Sequence, residues 1–529
     1  MRDIQYPGRS VVMSTGAMVA TSQPLATQVG LSILRQGGNA MDAAIAAGAT
    51  LCVTEPQSTG IGGDCFLLYH DAGSGTLHGL NGSGRAPAGA TLEELQRRGH
   101  STMPEHGILS VTVPGAIDAW QTALERFGTM SFRDLLRPAI EYAENGYAVA
   151  PVVAKVWQQN ESLLSSCADT RQTFLVNGHA PRAGNRHQQP NLGNSLRQIA
   201  HHGRDAFYNG EIAAKIVRFS QANDGLLALE DFAAHESDWV EPIHTDYRGL
   251  RICEIPPNSQ GITVLMMLNI LEHTRLGDME HLGADHVHTV TEAFKLAVAE
   301  RNRFVSDPDF TEIPLAAMLS KDFGRDQLAR IDPARALDHP VPSGLPEHRN
   351  TIHLAVVDEQ RNAVSFINSL YHPWGSGIVA GDTGIMLQNR GGGFNLIEGH
   401  ANCVAPGKRP MHTIIPAMVY RGDQLLMSFG VMGGEFQAMG HSYVLSNWLD
   451  FGMDVQEAVD AARFLPADGV LAVERPVAES TRIELARRGH KVVEADKPFG
   501  GGQCIYIDWE NGVLQASSDP RKDGCALGY

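Results

Sequence analysis

The hydrophobic pattern changes most abruptly around Thr351. Residues 332–349 contain four prolines, a glycine and charges of both signs without an apolar period, which predicts an exposed connection. Residues 352–357 are then almost all aliphatic or β-branched, as in a strand buried on both faces. After a predicted turn at residues 359–362, a second strand is expected over residues 363–370. Thr351 therefore lies where an exposed connection meets a core strand.

Apolar residues at helical spacing predict helices on both sides of these strands. Ser22 and Pro24 begin the first helix, and Asn39 caps a second that runs to Cys52. Further helices are predicted from Ala116, over residues 264–271, near 285–305, from Gly433-Gly434 to about Asp450, and over 455–463. Further strands are predicted over residues 65–70, 413–420, 424–430, 504–509 and 513–516. No repeat or linker divides the chain into independent parts.

Composition narrows the class of protein. The 529 residues are 43% hydrophobic and 19% charged, as in an ordinary globular protein, and the net charge of −17 argues against nucleic acid and anionic membranes as partners. Seven cysteines without C-x-x-C spacing predict reduced thiols and, with no apolar leader, a cytoplasmic location. Histidines 201, 202, 286 and 288 lack ligand spacing and are expected on solvated helix faces, so neither a metal nor another cofactor is predicted.

The hydroxyl at position 351 suggests a chemistry. If the Asn350–Thr351 bond is cut, Thr351 carries a nucleophilic hydroxyl and a free α-amine, which is a nucleophile with its own general base. A threonine that opens a strand is also common without any catalytic role. The residues that follow favour the catalytic interpretation.

These residues form motifs that resemble one family over nearly the whole chain. They are Thr351 with His353 two residues on, the Gly-Ser-Gly-Ile-Val run at 375–379, the Glu-Pro-x-Ser-x-Gly-Ile-Gly-Gly run at 55–63, and the tail at 518–524. Together they resemble the γ-glutamyltransferase family of N-terminal-nucleophile hydrolases. The resemblance implies an α+β fold, a four-layer αββα sandwich. It also implies autocleavage into residues 1–350 and 351–529, which form one domain as an αβ heterodimer and leave open a dimer of such pairs.

The resemblance also implies roles for individual residues. Thr351 matches the nucleophile, Ser369 a hydroxyl that hydrogen-bonds it, and Gly433-Gly434 the oxyanion hole, although a glycine pair that opens a helix is equally consistent with a plain turn. Asn368 and Tyr371 are candidates to line the pocket, with strand packing as the alternative.

Substrate recognition departs from the family pattern. Ser83 stands where the family has the arginine that holds the substrate α-carboxylate, and Arg85 follows two residues later. Gly393 replaces the acidic residue that holds the α-ammonium, and His412-Thr413 replace a pair of serines. A buried ammonium without a carboxylate would cost several kcal/mol, so the acyl group is expected not to be γ-glutamyl.

This pattern is similar to the branch that contains oxamate amidohydrolase and some cephalosporin acylases. We therefore predict hydrolysis of a small carboxylate-bearing amide, with Arg85 as candidate carboxylate ligand and oxamate as the sharpest example. The alternatives are a γ-glutamyltransferase or glutathione hydrolase, and an uncleaved, non-catalytic binding protein.

Overall fold

The computed structural model describes residues 8–337 and 351–529. The strands in these ranges are β1 (Val12–Ser14), β2 (Met18–Thr21), β3 (Asp64–Asp71), β4 (Thr76–Gly82), β5 (Tyr147–Ala148), β6 (Arg186–His187), β7 (Asp238–Val240), β8 (Ile243–Tyr247), β9 (Leu250–Glu254), β10 (Ile352–Val357), β11 (Ala363–Ser369), β12 (Ala417–Arg421), β13 (Gln424–Met432), β14 (Phe464–Ala467), β15 (Val470–Val473), β16 (Val492–Glu494), β17 (Gly501–Asp508), β18 (Val513–Ser518) and β19 (Cys525–Gly528).

The helices in the same ranges are α1 (Pro24–Arg35), α2 (Ala40–Thr54), α3 (Leu92–Arg97), α4 (Ala116–Phe127), α5 (Phe132–Asn145), α6 (Pro151–Gln159), α7 (Glu161–Ser165), α8 (Ala168–Phe174), α9 (Pro190–His202), α10 (Arg204–Tyr208), α11 (Glu211–Ala222), α12 (Leu229–Ala233), α13 (Gly261–Leu271), α14 (Ala284–Phe304), α15 (Leu315–Met318), α16 (Lys321–Leu328), α17 (Phe436–Leu449), α18 (Val455–Asp460) and α19 (Glu479–Arg487). No helix among the described residues is long and apolar enough to cross a bilayer.

Two seven-stranded antiparallel sheets pack face to face. The first has the order β19-β2-β10-β11-β3-β4-β7, and the second β1-β18-β17-β13-β12-β9-β8. Helices α1, α2 and α4 cover the outer face of the first sheet, while α13, α17 and α18 cover that of the second. Strand β10 contacts β13 and β17 across the interface between the sheets. This is the predicted four-layer αββα sandwich.

The pair β10–β11 lies at the centre of the first sheet, and every residue of both strands is buried. Leu354 and Val356 pack with the helices on the outer face, whereas Ala355 and Val357 pack against the second sheet. The side chains of a strand alternate between faces, so a strand covered on both sides needs apolar residues at both parities. The prediction of a doubly buried strand after Thr351 is confirmed.

Most predicted helices are present, with small shifts at their ends. Asn39 caps α2 as expected, since its Oδ1 accepts from the N–H groups of Met41 and Asp42. Helix α1 is capped by Gln23 rather than Ser22, and Gln23 Oε1 accepts from the Leu25 N–H at 2.6 Å. Pro24 occupies the first helical position, which leaves the residue before it as the cap.

The expectation that the histidine clusters are solvated is wrong for one of the two. His201 and His202 are exposed at the end of α9, but His286 and His288 are buried in α14. Helix α14 contacts α13, α16 and α19, so most of its circumference is covered by other elements. A helix covered on several sides keeps few solvated positions, whatever its sequence pattern suggests.

Candidate active site

Thr351 and Ser369 meet at the open end of the β10–β11 pair. Ile352 lies opposite Asn368 in the antiparallel register, so the next pair outward consists of Thr351 and Ser369. Their hydroxyl oxygens are 3.0 Å apart, and both residues are buried. Asn350, the residue predicted on the other side of the scissile bond, lies outside the described residues. The structure thus brings the two predicted hydroxyls into hydrogen-bond contact.

The turn after β11 holds Ser369 in place. The Tyr371 N–H donates to Ser369 Oγ at 2.9 Å, and Tyr371 has a positive φ of 84°. On the other side, the glycine loop before β3 brings Gly63 so close that a Cβ there would collide with the Ser369 carbonyl oxygen. This loop is therefore a tight turn beside Ser369 that leads into strand β3.

Gly433 and Gly434 form the turn between β13 and α17. Their φ values are 129° and 61°, a region that side-chain-bearing residues rarely adopt. Strand β13 crosses the β10–β11 pair on its way to this turn. Ser365 Oγ donates to the Phe429 carbonyl at 2.9 Å, and Gly430 packs so tightly on the His353 ring that a Cβ there would clash.

Gln260 ties the glycine turn to the segment before β12. Its Nε2 donates to the carbonyls of Gly434 at 3.0 Å and Thr413 at 2.7 Å, while its Oε1 accepts from Arg301 at 2.7 Å. The Gln260 backbone N–H donates to the His412 carbonyl. Residues 411–416 therefore run along the loop that contains Gln260, and β12 begins at Ala417 rather than at the predicted residue 413. Gln260 was not predicted to have a role, because the two backbone carbonyls that accept from its Nε2 lie more than 150 residues away.

His412 points at a buried carboxylate. Its Nε2 lies 3.1 Å from Asp64 Oδ2, and both side chains are fully buried. Burial holds the pKa of His412 well below its usual range, and the charges of Arg390 and Arg409 lower it further. A neutral His412 donates from Nε2 and accepts the Ile414 N–H at Nδ1, as the contacts require. Burial raises the pKa of Asp64 to about 6, against the charge of Arg390.

Comparison with known proteins identifies the family. Residues 26–529 match the γ-glutamyltranspeptidase family. The chain belongs to this family. It is 40% identical to the glutathione hydrolase-like YwrD proenzyme of Bacillus subtilis, over 98% of this chain and 99% of the relative. It is 33% identical to the oxamate amidohydrolase proenzyme of Klebsiella pneumoniae, over 98% and 99% of the two chains. The crystal structure of a cephalosporin acylase from Bacillus halodurans matches with a TM-score of 0.93 at 40% identity, over 99% of this chain and 98% of that chain.

Membership in the γ-glutamyltranspeptidase family fixes the reaction class. The chain is an amidohydrolase of the N-terminal-nucleophile type. Its relatives include an oxamate amidohydrolase and a cephalosporin acylase, which agrees with the divergent branch that its sequence resembles. The names of the relatives describe proenzymes, which are processed before they act. The β-sandwich with its two antiparallel sheets agrees with that assignment.

Two of the predicted substrate-binding residues face other partners. Arg85 lies in a cluster of three carboxylates, with its guanidinium nitrogens 3.3 Å from Asp309, 3.5 Å from Asp307 and 3.7 Å from Asp238. A substrate carboxylate at Arg85 would approach three like charges. Asn368 points to the other face of β11, where its amide donates to Thr59 Oγ1 and the Gly60 carbonyl. Successive strand residues alternate in direction, so Asn368 cannot share the side of Ser369.

Arg390 was not predicted as a site residue; it lies in a 3-10 turn (Arg390–Gly393) and contacts the predicted pocket residues Tyr371 and Thr413. Its side chain is fully buried. The guanidinium carbon lies 4.0 Å from the centre of the Tyr371 ring, and Nη1 donates to Thr413 Oγ1 at 3.2 Å. In the sequence, Arg390 stands three residues before Gly393, which replaces the family's acidic residue. Nothing in the neighbouring sequence indicated that this arginine is buried.

Two groups of side chains among the described residues have the composition of a metal site. Glu105, His106 and His372 meet at one, and His288, Glu292 and His490 at the other. In the second group the Lys295 ammonium lies 2.8 Å from Glu292, an arrangement that suits an ion pair better than a cation site. In the first group, His106 Nδ1 already contacts the Gly375 carbonyl at 2.9 Å.

Removing the Ser369 hydroxyl should slow catalysis without unfolding the protein. Ser369→Ala deletes the group that contacts Thr351 Oγ1, and we expect kcat to fall about 10- to 100-fold, as for loss of a hydrogen bond to a nucleophile. Steady-state kinetics on the processed protein test this. Ser369→Thr keeps the hydroxyl and should stay near the parent rate, and equal losses in both variants would contradict the assignment.

Proposed function

We propose that the chain cleaves its own Asn350–Thr351 bond and then uses Thr351 to hydrolyse a small amide whose acyl group carries a carboxylate. Thr351 Oγ attacks the amide carbonyl, and the new α-amine takes the hydroxyl proton and passes it to the leaving nitrogen. Water then attacks the ester and regenerates Thr351. The N–H groups of the Gly433-Gly434 turn are the proposed donors to the oxyanion.

The observation that carries this proposal is the 3.0 Å contact between the Thr351 and Ser369 hydroxyls at the start of a buried strand. The Tyr371 N–H donates to Ser369 Oγ, and the hydroxyl of Ser369 can donate to Thr351 Oγ1 as that oxygen attacks. The proenzyme names of the relatives support processing. Retention of both hydroxyls disfavours a non-catalytic member.

The proposed cleavage would leave two fragments that remain associated. Strands β10 and β11 follow residue 351, whereas their neighbours β2 and β3 precede the cleavage site. Both fragments therefore contribute strands to the same buried sheet, and separating them would expose the core of the sandwich. We propose an αβ heterodimer of residues 1–350 and 351–529 that forms one domain.

The proposed acyl group has a carboxylate but no α-ammonium, because Gly393 leaves no acidic side chain at the family's ammonium position. Oxamate is the smallest such amide, and its hydrolysis gives oxalate and ammonia. A relative named as an oxamate amidohydrolase supports this choice. The second candidate is glutathione hydrolysis, which the name of the 40% identical YwrD relative favours.

Assays with two amides separate these candidates. The processed protein should release ammonia from oxamate and should turn over γ-glutamyl-p-nitroanilide poorly. Strong turnover of the γ-glutamyl substrate together with no activity on oxamate would favour the glutathione hydrolase instead.

A further inference from the structure

We infer that Arg390, supported by Tyr371 and Thr413, is the site that binds the carboxylate of an acyl group lacking an ammonium, such as a dicarboxylic acid monoamide. This inference rests on the proposed function, because it assigns the ligand of the same site. It replaces Arg85, whose guanidinium faces Asp238, Asp307 and Asp309.

Two described contacts fix the orientation of the guanidinium. The Tyr371 ring lies 4.0 Å beneath its central carbon, and Thr413 Oγ1 takes one N–H at 3.2 Å. The aromatic face below and the hydroxyl at one edge hold the planar guanidinium in one orientation. An oriented guanidinium can bind a carboxylate through two parallel hydrogen bonds. Arg390 is therefore a buried, oriented guanidinium rather than a mobile surface charge.

Both supports of Arg390 also lead to the proposed reacting groups. The Tyr371 N–H donates to Ser369 Oγ, which contacts Thr351 Oγ1. On the other side, the Thr413 carbonyl and the Gly434 carbonyl share the Nε2 group of Gln260. Arg390 thus joins a continuous series of contacts that starts at the proposed nucleophile and ends at the proposed oxyanion turn.

The position beside Arg390 where the family holds the α-ammonium has no acidic side chain, because residue 393 is a glycine. Asp64 also lies near Arg390, but its oxygens already accept hydrogen bonds from His412, Gln388 and the Gly84 N–H. Gly393 lies at the end of the same 3-10 turn, where an added Cβ would stand 3.7 Å from Tyr371 Oη and 3.3 Å from the Met411 carbonyl. Glycine therefore leaves this turn without an acidic group to match an α-ammonium.

Three matched anilides test the inference. Glutaryl-p-nitroanilide carries only the carboxylate, γ-glutamyl-p-nitroanilide adds an α-ammonium, and butyryl-p-nitroanilide has neither group. Arg390→Gln should lower kcat/KM for the glutaryl substrate about 100-fold, as for loss of a charged hydrogen-bond pair. Its loss of kcat/KM on the butyryl substrate should be at least 10-fold smaller, and processing should still yield both fragments. Equal losses on the glutaryl and butyryl substrates would overturn the inference, since they would indicate a structural role.

Two further variants sharpen the comparison. Gly393→Asp should raise the γ-glutamyl to glutaryl ratio of kcat/KM at least 10-fold, because it restores a carboxylate at the ammonium position. Arg85→Gln should leave the glutaryl to butyryl ratio unchanged. A loss of that ratio in Arg85→Gln, but not in Arg390→Gln, would assign the carboxylate to Arg85.

A binding measurement separates this inference from the proposed reaction. Glutarate should bind the parent protein in calorimetry and bind Arg390→Gln at least 10-fold more weakly. If no anilide or oxamate is hydrolysed, the proposed function fails, while this difference in glutarate binding would still support the site. Absence of glutarate binding by the parent protein, or equal binding by the variant, would overturn the inference.

Discussion

Replacing Thr351 by alanine should leave one uncut chain of 529 residues with no amidohydrolase activity. The substitution removes the hydroxyl that the proposal uses twice, first to attack the Asn350 carbonyl during processing and then to attack the substrate. The smaller alanine side chain fits the space of the threonine, which is buried at the start of β10, so the fold should persist. A denaturing gel and an oxamate assay measure the two effects.

Conservative replacements at Thr351 provide the control. Thr351→Ser and Thr351→Cys keep a nucleophile and should retain partial cleavage, giving fragments of residues 1–350 and 351–529. In each variant, the two fragments should elute together in size-exclusion chromatography, because both contribute strands to the same sheet. Two fragments from Thr351→Ala would show that the cleaved bond lies elsewhere.

Substituting Gly433 by alanine should lower kcat by two to three orders of magnitude. Its φ of 129° disfavours a side chain, and a Cβ would lie 2.8 Å from the Gly500 Cα, so the turn must shift. Displacement of an oxyanion donor costs roughly 100- to 1000-fold in kcat. Kinetics on protein that has completed processing would separate this effect from slow maturation.

Gly452→Ala is the matched control for Gly433→Ala. Gly452 also has a positive φ, of 65°, but an added Cβ there meets nothing within 4 Å. Alanine at Gly452 should cost about 1 kcal/mol of stability and leave kcat unchanged. Equal kcat values for the two variants would exclude the Gly433 turn from catalysis.

Local signals predicted the central part of the fold. The run of aliphatic residues after Thr351 indicated a strand buried on both faces, and Asn39 indicated the start of α2. Each of these features depends on residues a few positions apart, which a sequence displays directly. The Thr351–Ser369 contact came from the family resemblance, and the antiparallel register of β10 and β11 agrees with it. The layers themselves came from the family resemblance.

The proposed substrate site was harder to predict because it draws on distant segments. Arg85 was chosen for its position beside a family motif, yet the fold brings Asp238, Asp307 and Asp309 to it from more than 150 residues away. Arg390 gave no local sign of burial or of the Tyr371 ring beneath it. Charge matching in a pocket depends on tertiary contacts, which spacing along one chain does not encode.

The most direct test of this account is N-terminal sequencing of the smaller fragment of the purified protein. The account predicts a fragment that begins Thr351-Ile352-His353, together with amidohydrolase activity that appears as this fragment accumulates. A fragment that begins at any other residue, or full activity in the uncut chain, would contradict it.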